Sequence, residues 1–344
     1  MATAGLAAPA IAQGVRRLKM VTDWVEGMTG FHASAVRFAR TVETATAGRI
    51  GIEVFPAGKL VPAFQTFDAV SAGVADLYHS AEYYWEKKSR AFDFFAAVPF
   101  GFTAQELFGW VHYGGGQELW DELSGRFNIK ALLCLNTGTQ MGGWFNTEIR
   151  SADDFKGLRY RMPDPGAEVL RRLGAIVVTL PGGEIVQALK SGAIDASEWV
   201  GPWPDMAMGL HKAASYYYYA GFHEPGTGIA VGINKAIWQS LDGSDRQIIE
   251  AVAASEYSRS LAEFNTNNAS WLGKLQAEGD VRIMKFPDAV LKAFLVLSKD
   301  VVAEIGAADP LSRKIYESYQ TFRAGAIAWS NIAEHAFLNA RAPG

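Results

Sequence analysis

Residues 157–199 decide the fold and read GLRYRMPDPGAEVLRRLGAIVVTLPGGEIVQALKSGAIDASEW. Short apolar or alternating runs predict strands here, and the segments between them have the apolar spacing of helices. The predicted elements are a strand at 157–162, a helix at 167–173, a strand at 175–180, a helix at 183–190 and a strand at 194–199. This alternation is typical of an α/β sheet with helices packed on its faces.

The same alternation extends towards the N-terminus. It predicts strands at 18–21, 50–55 and 74–78, with helices at 31–46 and 64–72 between them. A further apolar strand at 129–135 is followed by a loose segment at 136–143. The pattern therefore indicates two α/β halves, with the changeover near that segment.

The last third of the chain is predicted to be mainly helical, with helices at 244–273, 288–305 and 310–340. The final helix carries Tyr316, Phe322, Trp329 and Ile332 on roughly one face. A helix of this length is more often packed against something large, such as another subunit, than left in solvent.

The composition argues against several classes of protein. Of the 344 residues, 49% are hydrophobic and 20% are charged, which favours folded cores over disorder. The sequence has no uninterrupted apolar run of the roughly 20 residues that a membrane helix needs. The formal net charge of −4 provides no basic field for a nucleic-acid backbone. Membrane insertion and nucleic-acid binding are therefore disfavoured.

The N-terminus resembles an export signal in composition. Residues 1–13 read MATAGLAAPAIAQ, and Ala10 and Ala12 fit the A-x-A pattern that precedes signal cleavage. The basic start of such a signal is absent, so we interpret residues 1–16 as a truncated signal or, alternatively, a disordered tail. The first interpretation predicts a periplasmic protein.

The common catalytic motifs are absent from the sequence. It lacks the G-x-S-x-G turn, the H-E-x-x-H helix and the Gly-rich loops that bind phosphates. The single cysteine, Cys134, lies in an apolar strand, which predicts an inert core thiol. Nucleophilic catalysis and cofactor binding are therefore disfavoured.

Arg161 is the first candidate for ligand binding. It lies in a strand that ends at Pro163, and open α/β sheets bind ligands at such strand ends. Its planar guanidinium matches a carboxylate with two parallel hydrogen bonds. The alternative is a surface salt bridge, for which Arg159 on the same strand is the better candidate.

Glu198, Trp199 and Gln140 are further candidates. The Glu-Trp pair ends a strand, and a buried Glu needs a partner, which Arg161 or a bound cation would supply. Gln140 lies in a glycine-rich bend, where its amide oxygen suits a hard cation or a ligand hydroxyl. The alternative for Glu198 and Gln140 is an exposed loop position.

Two aromatic runs have different predicted roles. Residues 83–85, Tyr-Tyr-Trp, are suited to a pocket wall. Residues 216–219 are four consecutive tyrosines, and we predict a strand in the core whose rings alternate between its two sides.

Three stretches together resemble one protein family. They are Gln140 with residues 142–146, residues 157–175, and residues 183–199. With PFG at 99–101 and HEPG at 223–226, they resemble the substrate-binding proteins of TRAP transporters, the DctP family. The Glu-Trp ending and the Tyr-Tyr-Trp run are similar to the branch that binds 2-oxo acids such as pyruvate, or 2-hydroxy acids such as lactate.

The resemblance implies a ligand site beside a bound cation. The family's carboxylate-binding arginine corresponds to Arg161. The cation ligands of the branch, for Na⁺ or Ca²⁺, correspond to Gln140, Glu198 and the main-chain carbonyl of Trp199. The residues implied to contact the acid are Trp24, Tyr83, Tyr84, Gln140, Asn146, Arg161 and Glu198.

The resemblance also implies a two-lobed α/β fold of the periplasmic-binding-protein type, with a hinge and a long C-terminal helix. Lobe I would comprise residues 17–139 and 229–265, and lobe II residues 140–228 and 266–309. Residues 310–344 would form a homodimer helix. The lobes would close over the acid and deliver it to the TRAP membrane permease, without a catalytic cofactor.

Two alternatives to a receptor for a small monocarboxylate remain open. In the first, the protein is a receptor for another organic acid, such as a sugar acid, a dicarboxylate or an aromatic acid. Otherwise the protein is an α/β enzyme that acts on organic acids, with Glu198 as base and Arg161 as anchor.

Overall fold

The computed structural model describes residues 15–342, which form two β-sheets flanked by helices. Most of the predicted signal or tail, residues 1–14, lies outside the described residues. The boundary predicted at residue 16 is wrong, because Arg16 is the first residue of a strand. Its backbone N–H donates to the carbonyl oxygen of Arg49 at 2.8 Å, which ties it to the sheet edge.

The strands alternate with helices as the sequence predicted. They are β1 (Arg16–Thr22), β2 (Ile50–Phe55), β3 (Leu77–Ala81), β4 (Ile129–Asn136), β5 (Gly143–Phe145), β6 (Arg159–Arg161), β7 (Ile176–Val178), β8 (Ala196–Ser197), β9 (Tyr216–Tyr219), β10 (Gly228–Asn234) and β11 (Arg282–Lys285). The first sheet has the order β2-β1-β3-β10-β4, and the second has the order β11-β9-β5-β8-β6-β7. The prediction of an α/β fold is confirmed.

The first sheet has mixed strand directions. Strand β1 pairs in parallel with β2 and β3, whereas β10 is antiparallel to both β3 and β4. The strand predicted at 74–78 begins only at Leu77, because the residues before it form the turn that ends a helix. In that turn the backbone N–H of Val74 donates to the carbonyl oxygen of Ala69 at 2.8 Å.

The second sheet is built from short strands. The strand predicted at 194–199 is reduced to β8, so Glu198 and Trp199 lie in the loop that follows it. The tyrosine prediction for β9 is confirmed at its centre. The ring of Tyr217 stacks on Trp144 with centroids 3.9 Å apart, and the ring of Tyr218 stacks on Phe286 at 4.7 Å.

The chain crosses between the sheets at three places. The first crossing joins β4 to β5, as the predicted changeover at 136–143 requires, and the second joins β9 to β10. The third includes the helix α9 (Gly243–Glu278), which lies between β10 and β11 along the chain. The first two crossings bring residues 137–142 and 220–227 together, beside the ends of β4 and β9 and the starts of β5 and β10.

The remaining helices are α1 (Phe31–Ala45), α2 (Thr66–Ser71), α3 (Ala104–Tyr113), α4 (Gly116–Gly125), α5 (Gly166–Arg172), α6 (Ile185–Lys190), α7 (Pro202–Met208), α8 (Lys235–Ser240), α10 (Asp288–Ala307), α11 (Pro310–Ile332) and α12 (Glu334–Arg341). The predicted long C-terminal helix is confirmed as α11, but it does not continue to residue 340, because Ala333 leaves the helical region with φ −109° and ψ −101°. Among the helices of residues 15–342, none is both long and apolar enough to cross a membrane.

Candidate functional site

A cavity with about 260 Å³ of empty space lies between the two sheets, beside the first two crossings. The predicted residues in its lining are Trp24, Tyr83, Tyr84, Gln140, Arg161, Glu198 and Trp199. Each of them ends a strand or follows one within a few residues, which is where α/β sheets present ligand-binding side chains. The lining is buried and combines aromatic rings with a few polar side chains, which is typical of a site for a small polar molecule.

Arg161 ends β6 and is only 1% exposed. Its Nε donates to the carbonyl oxygen of Leu180 at 3.0 Å, and its Nη1 donates to Oε1 of Glu198. Its Nη2 is buried and has no hydrogen-bond partner among residues 15–342. Arg159 instead lies at the surface and pairs with Asp195 through its Nε at 2.9 Å, as the sequence predicted.

Glu198 is the buried partner of that arginine. Its backbone N–H donates to the carbonyl oxygen of Arg161 at 3.3 Å, which holds the two residues side by side. Burial raises the pKa of Glu198 to about 7, although the charge of Arg161 acts in the opposite direction. The second carboxylate oxygen of Glu198 lies 3.5 Å from Nε2 of His223. Burial lowers the pKa of His223 to about 4, so this imidazole is neutral at pH 7.

Gln140 lies in the first crossing, and its amide has a defined orientation. Its Nε2 donates to Glu224 Oε2 at 2.7 Å and to the hydroxyl oxygens of Thr137 and Thr227 at 3.1 Å each. Its Oε1 is buried and, within the described chain, accepts no hydrogen bond. We call Arg161 Nη2 and Gln140 Oε1 the open polar atoms. One is a donor and the other an acceptor, and both belong to residues that line the cavity.

The donor set fits a hard cation. Ligand atoms of Glu198, His223 and Glu224 lie within 4.8 Å of one another, and all three side chains are buried. Carboxylate and amide oxygens are the ligands that Ca²⁺ takes in proteins, so Glu198 and Gln140 Oε1 are suited to this role. Burial, and then the charge of Glu198, raise the pKa of Glu224 to about 7. A cation would offset this concentration of buried negative charge.

Aromatic rings form the apolar side of the cavity. The ring of Trp24 packs on Phe31 with centroids 4.5 Å apart, and its Nε1 donates to Nδ1 of His79 at 2.8 Å. Phe31 in turn contacts the ring of Trp199 at 5.4 Å. This aromatic surface suits the short carbon chain of a small acid.

Asn146 is not part of the cavity lining. It lies one residue beyond β5 and is exposed, and its backbone N–H donates to the carbonyl oxygen of Asp195 at 3.0 Å. The structure therefore does not bring Asn146 together with the other predicted site residues, and a ligand contact at Asn146 stays a prediction.

Several lining or neighbouring residues were missed by the sequence analysis. They are Phe31, Thr137, Val200, Thr227 and the pair His223 and Glu224. The HEPG run at 223–226 was the available signal for the last two, but nothing in the sequence assigned them a role. Phe31 begins a helix with the spacing of a core face, which gave no functional signal.

Comparison with known proteins extends the resemblance. The profile of the bacterial extracellular solute-binding proteins of family 7, DctP, matches residues 24–309. A monocarboxylate 2-oxoacid-binding periplasmic protein of Nostoc sp. is 38% identical over 323 residues, which cover 94% of this chain and 88% of that protein.

Two solved TRAP solute-binding proteins share the fold. The one from Bordetella bronchiseptica is a dimer with copurified calcium and picolinate in one site and an apo second site. It has a TM-score of 0.93 and 34% identity, with 95% of this chain and 97% of that chain covered. The one from Pseudoalteromonas atlantica, with bound sodium and pyruvate, has a TM-score of 0.91, 36% identity and coverages of 94% and 99%. The resemblance is thus confirmed, and the chain belongs to the DctP family of TRAP solute-binding proteins.

Proposed function

We propose that the protein is a periplasmic receptor that captures a small 2-oxo or 2-hydroxy monocarboxylate, such as pyruvate or lactate, together with Na⁺ or Ca²⁺. The observation that carries this proposal is the presence of both open polar atoms at one small, buried cavity. Arg161 Nη2 is a donor for a carboxylate, and Gln140 Oε1 is an acceptor for a cation. The relatives that bind 2-oxo acids, or pyruvate with sodium, support the same assignment.

The charges around the cavity explain why acid and cation would bind together. Arg161 carries one positive charge, whereas Glu198 and Glu224 carry two negative charges when ionised. A monocarboxylate would add a further negative charge to a buried site, which is costly without compensation. When bound, the cation supplies positive charge and coordination for the carboxylate and for the 2-oxo or 2-hydroxy oxygen.

The two sheets support a receptor that closes by a hinge. We infer that residues 17–139 with 229–265 form lobe I, and that residues 140–228 with 266–309 form lobe II. The strands of the first sheet fall within lobe I, apart from their terminal residues Arg16 and Gly228. The strands of the second sheet all fall within lobe II. The cavity is buried and its lining comes from both sheets, so the lobes would separate to admit the acid and close over it again.

The C-terminal helices support a homodimer. Trp329, Ile332 and Phe337 on α11 and α12 are 68%, 75% and 61% exposed, and such apolar surface is typical of an interface. The Bordetella relative is a dimer.

We expect Trp329→Asp to shift the protein from dimer to monomer in light scattering, and an unchanged mass would contradict this interface. The dimer would deliver its acid to the TRAP membrane permease.

Calorimetry tests the ligand and the cation directly. The protein, stripped of bound acid, is titrated with pyruvate in a chelated, sodium-free buffer and then with NaCl or CaCl₂ added. We expect strong binding only with a cation, and equal affinity in both buffers would contradict the cation. Tighter binding of a dicarboxylate, a sugar acid or an aromatic acid would instead favour the alternative ligand class.

A receptor releases its ligand unchanged. We expect pyruvate or lactate to be recovered intact after long incubation with the protein, as followed by proton NMR. A new product would favour the alternative of an enzyme with Glu198 as its base.

A further inference from the structure

The amide of Gln140 is held from one side. The two N–H groups of its Nε2 are shared among three acceptors, Glu224 Oε2 at 2.7 Å and the hydroxyl oxygens of Thr137 and Thr227 at 3.1 Å each. Because Nε2 and Oε1 branch from the same carbon, these contacts leave Oε1 on the opposite side of the amide. An amide turned by 180° would bring Oε1 against a carboxylate, where two acceptors repel each other.

Glu224 is fixed in its own position. It is buried, and the hydroxyl of Thr227 donates to the same Oε2 that accepts from Gln140. The backbone supports this arrangement, since the N–H of Gln140 donates to the carbonyl oxygen of Glu224 at 3.2 Å. Gln140 and Glu224 are thus joined by one backbone and one side-chain hydrogen bond.

From this geometry we propose that Glu224 is a positioning residue that presents the oxygen of Gln140, rather than its nitrogen, to the bound cation. The inference rests on the proposed function, because it concerns the same cation site. Glu224 acts through Gln140, with Thr227 as the connecting hydroxyl. Residues that orient metal ligands typically change metal affinity by about 10–100-fold when they are replaced.

Glu224→Gln tests the role of the carboxylate. The amide introduced at position 224 can offer an N–H to residue 140, so the Gln140 amide is able to turn and place its own N–H towards the cation. We expect the affinity for Ca²⁺, measured by calorimetry in the presence of pyruvate, to fall about tenfold or more. Glu250→Gln, on the exposed side of α9, is the matched control and should leave that affinity unchanged.

An exchange of the two residues separates orientation from simple damage. In the double variant Gln140→Glu with Glu224→Gln, residue 140 presents a carboxylate oxygen whichever way it turns, and the total charge is that of the wild type. The hydrogen bond is retained with donor and acceptor exchanged. We expect Ca²⁺ affinity to return to within a few-fold of wild type, with melting temperatures that confirm folding of each variant.

Thr227→Val separates orientation from loss of charge. It removes one acceptor of Gln140 Nε2 and one donor to Glu224 without changing any charge. We expect a loss of Ca²⁺ affinity of several-fold, whereas a purely electrostatic role of Glu224 predicts none. Unchanged affinity in Thr227→Val, or in Glu224→Gln, would overturn the positioning role.

The wild-type titration keeps the two proposals apart. Pyruvate binding that needs no cation would overturn the cation part of the proposed function and the role of Glu224 with it. Cation-dependent wild-type binding that persists at full affinity in Glu224→Gln would overturn the role of Glu224 alone.

Discussion

Two buried carboxyl groups, Glu198 and Asp205, lie close together in the chain but have different surroundings. Asp205, on α7, accepts four hydrogen bonds. The donors are Trp144 Nε1 and the Tyr217 hydroxyl at 2.8 Å each, and the backbone N–H groups of Val200 and Gly201 at 3.0 Å each. The rings of Trp144 and Tyr217 also stack on each other and fill the surrounding space.

Glu198 has incomplete surroundings by comparison. It pairs with Arg161, yet the open polar atoms and the 260 Å³ cavity lie beside it. Burial raises the pKa of both carboxyl groups to about 7, so the pKa does not distinguish them. The comparison indicates that a buried carboxyl group whose hydrogen bonds are all made stabilises the fold. A buried carboxyl group beside donors and acceptors that lack hydrogen-bond partners indicates a binding site.

The largest expected effect is that of removing Arg161. In Arg161→Ala the acid loses its donor, and Glu198 is left as an unpaired buried charge. We expect pyruvate affinity in calorimetry to fall by at least about 30-fold, since truncating one partner of a buried charge pair costs about 2–5 kcal/mol. Arg161→Lys, which keeps the charge but not the planar fork, should retain part of the affinity.

Arg159→Ala is the matched control for this experiment. Arg159 lies on the same strand, but it is exposed and paired with Asp195, so its loss should leave pyruvate affinity unchanged. Full pyruvate affinity in folded Arg161→Ala would show that the acid binds elsewhere.

Parallel amide substitutions test the comparison itself. Glu198→Gln removes a charged ligand of the cation and should weaken cation-dependent binding by about tenfold or more. Its amide oxygen can still accept from Arg161, so the free energy of unfolding should fall less than in Asp205→Asn. Asp205→Asn brings an NH₂ group against converging donors and should lower the free energy of unfolding by about 2–4 kcal/mol, while the folded protein keeps its affinity. Urea unfolding and calorimetry measure both quantities, and the same profile for the two variants would remove the distinction.

The sequence was sufficient for the features that depend on nearby residues. Strand and helix order followed from apolar periodicity, and Arg161 from its place at a strand end. It was not sufficient where distant segments meet: Thr137 and Thr227 contact Gln140 only because two crossings are adjacent in space. The exposure of Asn146 at the end of β5 likewise depends on the sheet, so the sequence did not show that it lies apart from the other predicted site residues.

The sequence pattern also did not predict where the C-terminal helix is interrupted. Alanine is the strongest helix former, so nothing at Ala333 predicted the interruption between α11 and α12. The cavity residue Phe31 was hidden for a related reason. Its spacing fits a core-facing helix residue, and only the fold shows that it lies against Trp24 and Trp199.

The pH dependence of stability should reveal the buried acid at Asp205. Its pKa rises from 3.8 to about 7 on folding because of burial, so between these values the folded state holds a proton that the unfolded chain has lost. Stability from this group is therefore full at low pH and falls as the pH rises through that window, by about 1.4 kcal/mol per pH unit. The advantage of wild type over Asp205→Asn in urea unfolding should shrink accordingly. A difference that is constant or grows with pH would contradict the raised pKa.

The smallest expected effect concerns ligand size. A cavity lies beside Glu198, whereas stacked rings fill the corresponding space beside Asp205. Phe31→Ala removes a ring from the apolar wall and enlarges the part of the cavity that would hold the carbon chain of the acid. 2-Oxopentanoate has two more methylene groups than pyruvate, and each buried methylene contributes about 0.8 kcal/mol. We therefore expect the affinity ratio of 2-oxopentanoate to pyruvate to rise about tenfold. Phe38→Ala, buried on the same helix against the first sheet, should lower stability without changing this ratio, and an equal change in both variants would show that Phe31 does not limit ligand size.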